Sequence, residues 1–411
     1  MNKRILSFCW LLMVGVIFST KGWSQRNEEK RRHYNLQQAI SDNAQMHTIA
    51  FDGLAFMTGN FGADCFFPPG KLADFFGFQY MRDNDENQLG HNTDFLTLIA
   101  NNVLSILTPE QIDALVLLAK KQEHDYDQFA RKRWLLIKAF RSNMEKDSSV
   151  LNKKLNEQAV AEFSADLYEI DGKISYERAE VIGKIIRELT AAQKKQFEAF
   201  AFNNSATWPE KPESFDKTIL SHRAHVGLMT YASELFSWYK GSLEADIYFC
   251  PERHGTYFGG FYMKDFPAMD NHGYNISTAL TGDAGKSFIA TLQPANRQII
   301  QQLPQQQKNT LNEIVRLRTD ISTQLRHFID SPKAVPDKKQ IIQLVRAYGK
   351  LDGRLSYLYA QSFATIYQSL STQEKSTLKK IRQQDVLPDE IYLYSDKVPM
   401  PEKLDDSFLF Q

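Results

Sequence analysis

Six residues between Asp83 and Asp94 stand at the spacing a calcium-binding loop uses. Asp83, Asp85, Asn87, Leu89, His91 and Asp94 occupy the first, third, fifth, seventh, ninth and twelfth places. From those places alternate oxygen ligands converge on one hard cation when the loop turns tightly. The sixth place, where such loops need glycine, holds Gln88, and Gly90 follows two residues later. The same residues also make a polar, Asx-rich loop that caps the next helix. A second metal option is His222 with His225, which suit a transition metal on one helical face. The other reading is two exposed or hydrogen-bonded imidazoles. The chain carries no CxxC, CxxCH, HExxH or phosphate-binding glycine loop.

A further set of charges recurs in two stretches, ADCFFPPGKLADFFGFQYMRD (Ala63–Asp83) and ADIYFCPERHGTYFGGFYMKD (Ala245–Asp265). Asp64 stands with Asp246, Lys71 with Arg253, Tyr80 with Tyr262, Arg82 with Lys264 and Asp83 with Asp265. Opposite charges spaced among aromatics line a polar pocket with apolar walls and make these ten residues ligand-binding candidates. They serve equally as ion pairs holding an irregular segment against a helical bundle. Cys65 and Cys250 lie in the same stretches. In an oxidising compartment they permit one disulfide, or they remain two buried thiols.

The stretches align without a gap, so self-similarity governs the reading of the whole chain. The sequence reads as a tandem duplication: an all-α fold of two helical-bundle repeats with irregular aromatic and proline-rich inserts, arranged about a pseudo-two-fold axis. The expected organisation is a signal peptide over 1–24, a tether over 25–46 and a first helical repeat over 47–202. A Pro-containing linker over 203–222, a second repeat over 223–383 and a tail over 384–411 follow. The tail is expected to wrap the surface.

The elements that must position these residues are helices with legible ends. Apolar spacing through Phe51, Leu54 and Met57 gives a helix ending at Gly59. Another helix runs from Leu96 to Ile106. In Leu107-Thr108-Pro109-Glu110-Gln111, Thr108 is placed as N-cap, Pro109 as the first helical residue and Gln111 as the reciprocal partner of a capping box. Leu107 and Ile112 are spaced for a hydrophobic staple. A basic helix is expected over Arg131–Arg141 and a long one over Glu157–Leu189. A second cap at Leu189-Thr190-Ala191-Ala192-Gln193 starts a closing helix that reaches Phe202.

The second repeat retraces this path: Arg316 and Arg318 match Arg131 and Arg133, and LDGRLSYLYA from Leu351 matches IDGKISYERA from Ile170. Gly172, Ser175, Ala179 and Gly183 form a small-residue stripe matched by Gly353, Ser356, Ala360 and Ala364. Glycine costs helix stability, so the stripe implies close approach of another helix or a ligand.

Asn2, Lys3 and Arg4 open a basic start, and Ile5–Phe18 is apolar. Gly22 and Ser24 suit cleavage, so the mature chain is expected to be periplasmic or secreted without a membrane span. With 49 basic and 49 acidic residues, no overall field favours nucleic acid.

The two motifs LTPEQ and LTAAQ, separated by a basic helix and a long amphipathic one, resemble the Spy/CpxP-like LTXXQ-motif family over about Leu104 to Phe200. ELTAAQKKQFEAF looks particularly like the family's second motif. The likeness returns weakly where Leu292-Gln293-Pro294-Ala295-Asn296 departs from the first motif, and where Ser371 and Glu374 replace Thr and Gln in the second. The resemblance implies an all-helical, envelope-located protein that binds unfolded or envelope polypeptides without ATP. The expected function is thus a non-enzymatic, chaperone-like binder. The alternative is a metal-dependent enzyme or a sensor of metal (Ca or a transition metal) or small molecule, with its pocket between the duplicated stretches.

Overall fold

The computed structural model describes residues 36–58, 93–146, 153–200, 219–241, 243, 284–331, 333, 335–385 and 405–411. After a single turn at Leu36–Ala39, ten longer helices carry most of them. The first five are α1 (Asp42–Thr58), α2 (Thr93–Ile106), α3 (Pro109–Glu145), α4 (Glu157–Glu188) and α5 (Ala191–Ala199). The next five are α6 (His222–Lys240), α7 (Ala284–Thr291), α8 (Pro294–Asp330), α9 (Lys338–Ser369) and α10 (Thr372–Asp385). Among the described residues no strand forms; one isolated antiparallel bridge joins Leu155 to Phe410. The fold is all-α.

Helix starts follow their local chemistry. At α3 the Gln111 N–H donates to Thr108 Oγ1 at 3.4 Å, and the Thr108 N–H donates to Gln111 Oε1 at 3.0 Å. Leu107 is buried and Ile112 packs on the same core, which completes the staple. Thr190 and Gln193 repeat the box at α5 with distances of 3.2 and 2.9 Å. Ser371 and Glu374 do so at α10 with 3.2 and 2.8 Å. At α8 the N-cap is Gln293, and it makes no side-chain cap bond.

Three expectations are revised. The basic stretch Arg131–Arg141 is the continuation of α3, not a separate helix. No Gly or Pro interrupts the chain beyond Pro109, and the helix runs 37 residues to a left-handed C-cap at Lys146 (φ 54°). The tail does not stay on the surface throughout, since Leu409 and Phe410 are buried in a core. Helix α1 also begins at Asp42, inside the expected tether, with Ala44 and Gln45 buried.

The longest contact is α4 along α9, each of 32 residues. It is made close by the small-residue stripe. A Cβ on Gly172 would lie 3.0–3.1 Å from Ile342 and Val345; one on Gly353 would lie 2.7–2.8 Å from Ser164 and Ala161. Ile342 holds the same place in α9 as Ala161 in α4, and Val345 the same as Ser164, so the two approaches are reciprocal. Gly183 faces the backbone of Phe328 at 2.8 Å. The stripe therefore packs helix on helix.

Helices α1 and α6 each pack away from the helices that follow them in the chain. Helix α1 packs against α7, α8 and α10, whereas α6 packs against α2 and α3. One core gathers α2, the first half of α3, the last half of α4, α5 and α6. The other gathers α1 and α7 to α10 with the remainder of α3 and α4.

A charged groove above a buried hydrogen-bonded network: the candidate functional site

The ten ligand-binding candidates (Asp64, Lys71, Tyr80, Arg82, Asp83, Asp246, Arg253, Tyr262, Lys264 and Asp265) lie outside the described residues, as do Cys65, Cys250, Asp85, Asn87 and His91. Asp94 stands in the first turn of α2 and His222 opens α6. His225 is half-buried, and its backbone N–H donates to the Ser221 carbonyl at 2.9 Å. Among the described residues no three His, Cys, Asp or Glu gather closely enough to hold a metal ion.

What the fold does bring together is a groove of about 510 Å³ between α3, α4 and the start of α9. Asp125, Lys132, Asp166, Glu169, Lys173 and Lys338 line it, with Gln128 beside them and Ile170 and Ile342 as its apolar contribution. Helical spacing explains the alignment. Asp166, Glu169, Ile170 and Lys173 fall three or four apart on α4, so they share a face. Lys173 Nζ meets Asp125 Oδ2 at 2.9 Å across to α3, and Arg346 of α9 bonds Asp166 at 2.8 Å and also Glu169. Both signs of charge thus alternate along one open trough.

Beneath the groove, Lys338 reaches inward to Glu177 Oε1 at 3.2 Å, and its ammonium sits 5.3 Å from the centre of the Tyr176 ring. Lys121 approaches Glu177 Oε2 at 3.1 Å, and Gln122 Nε2 donates to the same oxygen at 3.3 Å. Burial pushes the Glu177 carboxyl up, but the bonds from Lys121, Gln122 and Lys338 outweigh it and hold the group below its usual range. Gln122 Nε2 also donates to the Ile174 carbonyl at 3.2 Å. Its Oε1 accepts from Tyr231 at 2.6 Å and Tyr126 at 3.0 Å, and the two tyrosine hydroxyls touch each other. Burial raises both phenols well above their ordinary range, so they remain protonated donors. Alongside, Arg178 Nε meets Glu234 Oε2 at 3.2 Å, with each side chain only 7% exposed. The network contains one ionised carboxylate fixed by two lysines and a guanidinium–carboxylate pair. Its chemistry is that of positioning: it ties α3, α4, α6 and the start of α9 under the groove.

None of these residues was singled out from sequence as a site. The readable signal was there in the alignment of IDGKISYERA with LDGRLSYLYA: Glu177 and Arg178 stand where the second stretch has Leu358 and Tyr359. Two charges in place of two apolar or aromatic residues in an otherwise similar buried stretch mark a polar centre peculiar to α4.

The glutamines of the two capping boxes do a second job. Gln193 Nε2 donates to Gln111 Oε1 at 2.8 Å and to the Ile106 carbonyl at 2.9 Å. The starts of α3 and α5 are thereby clasped together at one end of the bundle. In the other half, Gln293 donates to Glu374 at 3.3 Å and Asn296 to Ser369 at 2.9 Å. Comparison with protein-family models, with curated proteins and with solved structures gives no match to this chain.

Proposed function

We propose that this chain is an exported, non-enzymatic binding protein of chaperone-like action that takes up extended segments of unfolded or envelope polypeptides. The observation that carries this reading is the open groove in which three acids and three lysines alternate around Ile170 and Ile342. A trough of that kind accepts side chains of either charge together with apolar ones, which is what an unfolded segment of arbitrary sequence presents. The clasped pair of LTXXQ-like boxes supports the same reading through its likeness to the envelope chaperones. The test is light scattering with an aggregating client. The chain is expected to suppress aggregation near stoichiometric amounts, and Lys132→Glu with Lys338→Glu is expected to shift suppression from acidic toward basic clients. Full aggregation at stoichiometric protein would overturn the proposal.

The scaffold is, in this reading, one five-helix unit written twice about a pseudo-two-fold axis with its first helices exchanged. Support comes from matched lengths (37 residues for α3 and α8, 32 for α4 and α9) and from the reciprocal glycine contacts. A repeated cation–π pair adds to it: Arg141 lies 5.9 Å from the Phe56 ring centre, and Arg326 lies 5.9 Å from that of Trp238. Mass spectrometry of the protein recovered from the envelope tests export, with loss of residues 1–24 expected. Retention of Met1 in the envelope fraction would contradict it.

A further inference from the structure

The segment Asp405–Gln411 is seated on the fold as a bound peptide would be. The Lys154 N–H donates to the Gln411 carbonyl at 3.0 Å, the Gln411 N–H to the Lys154 carbonyl at 2.8 Å, and the Asn156 N–H to the Leu409 carbonyl at 2.8 Å. The end of the segment thus pairs antiparallel around the bridge of Leu155 with Phe410, after a 3-10 turn over Ser407–Leu409 in which the Leu409 N–H donates to the Asp406 carbonyl at 3.0 Å and the Phe410 N–H to the Ser407 carbonyl at 3.2 Å. Leu409 is 0% exposed and Phe410 is 8% exposed, within the core that also holds Leu155 and Val160. Phe408 is 48% exposed and rests on Phe163 with ring centres 5.2 Å apart. Asp406 pairs with Lys138 at 2.9 Å.

We infer that this seat is a second polypeptide-binding site, selective for aromatic–aliphatic–aromatic segments that make one tight turn before pairing with the edge, and that residues 405–411 are its intramolecular occupant. Main-chain pairing to an edge gives affinity without regard to sequence, and the buried places of the consecutive Leu409 and Phe410 give selectivity. The edge here is short: Asn156 is also the N-cap of α4, its side chain accepting from the Ala159 N–H at 3.2 Å. Helix α4 therefore fixes the edge in place whether or not the seat is filled. The occupant is held by three backbone bonds, two inward side chains and one ion pair. Segments attached this sparingly open ahead of the global fold. When the segment lifts, the vacated pockets face an incoming chain with the same pattern, while the tethered copy competes at high effective concentration. The inference deepens the binding reading by naming a selective, apolar seat apart from the charged groove.

The experiment uses a labelled peptide of sequence DDSFLFQ and fluorescence anisotropy. The full chain is expected to bind it weakly. A chain ending at residue 404 is expected to bind at least tenfold more tightly, and a peptide N-methylated at its final residue, which cannot donate to Lys154, to lose most of that gain. A shortened chain that keeps its helical circular dichroism and binds no better than the full chain overturns the inference. If the shortened chain does not fold, the peptide is titrated into the full chain while hydrogen exchange at Asn156 and Gln411 is followed. Faster exchange at Gln411 with retained protection at Asn156 supports exchange of occupants, and unchanged rates at both overturn it. Failure of aggregation suppression with peptide binding intact would remove the groove reading alone.

Discussion

Gln122 and Gln307 hold the same place in α3 and α8, counted from the proline that opens each helix, and both are fully buried. Their surroundings differ. Gln307 donates to Gln45 at 2.8 Å and accepts from the Tyr359 hydroxyl, a neutral set. Gln122 touches two tyrosines and the carboxylate of Glu177, which is tied in turn to two lysines. Arg178, with its Glu234 partner, stands where Tyr359 stands in the other half. A buried amide has to be satisfied on every polar atom, and a neutral ring of partners does that at the least cost. The first half instead carries ionised groups to the same depth, where they lie below the charged groove. The contrast teaches that two similarly placed buried glutamines can be satisfied either by a neutral, packed set of partners or by an electrostatic one.

The largest break in that comparison is expected from Glu234→Leu. It leaves the Arg178 guanidinium buried without its carboxylate and should cost about 3–5 kcal/mol by chemical denaturation. Tyr359→Phe, at Arg178's counterpart, should cost only about 1 kcal/mol. A loss for Glu234→Leu no larger than for Tyr359→Phe would erase the distinction.

Next comes the contact of α4 with α8. Gly183 would place a Cβ 2.8 Å from the Phe328 backbone, whereas its counterpart Ala364 already carries one. Gly183→Ala should therefore lose about 1–3 kcal/mol from overpacking, although alanine is the better helix former. Ala364→Gly should lose about 1 kcal/mol.

The pH dependence sharpens the comparison further. Glu177 is held below its ordinary value of 4.5, so its contribution is present above that value and is lost as pH falls through the lowered one. The Tyr126 and Tyr231 phenols are raised above 10; their contribution is complete below pH 10 and is lost as pH climbs past it. Glu177→Leu, which installs the residue type of the aligned Leu358, should flatten the acid limb of a stability–pH curve. Tyr126→Phe should flatten the alkaline limb. Curves that keep the wild-type slope on both sides would show that the first half is no more sensitive to protons than the second.

The smallest effects belong to helix starts. Thr108→Ala and Thr190→Ala should each cost about 1 kcal/mol, and Ser371→Ala a similar amount. Gln293→Thr should recover part of such a sum at α8, whose N-cap residue makes no side-chain bond. Equal melting shifts from cap removal and cap installation at all four starts would complete that series.

Much of the helical order was legible because caps are local. Thr108 with Gln111, and Thr190 with Gln193, fix their helix starts within four residues of chain, and α4 begins at the residue expected for it. The stripe through Gly172 and Gly183 announced a close approach because only packing justifies glycine in a helix interior. The unbroken length of α3 was missed: a change from apolar to basic composition near Arg131 looks like a boundary, yet without Gly or Pro the hydrogen-bond ladder simply continues. Of the centre around Gln122, only the charges at Glu177 and Arg178 left a sequence signal; its assembly did not. Tyr126 and Tyr231 are 105 residues apart, and nothing in either neighbourhood specifies the other.

The crossing of the first helices has a topological consequence. Leu228, Tyr231 and Leu235 of α6 wall the core of the early half, while Ile49, Leu54 and Phe56 of α1 wall the core of the late one. Neither core is closed until a helix from far along the chain is added to it. The two are interlocked like clasped hands, and heat should melt them in one cooperative step despite the length of the chain.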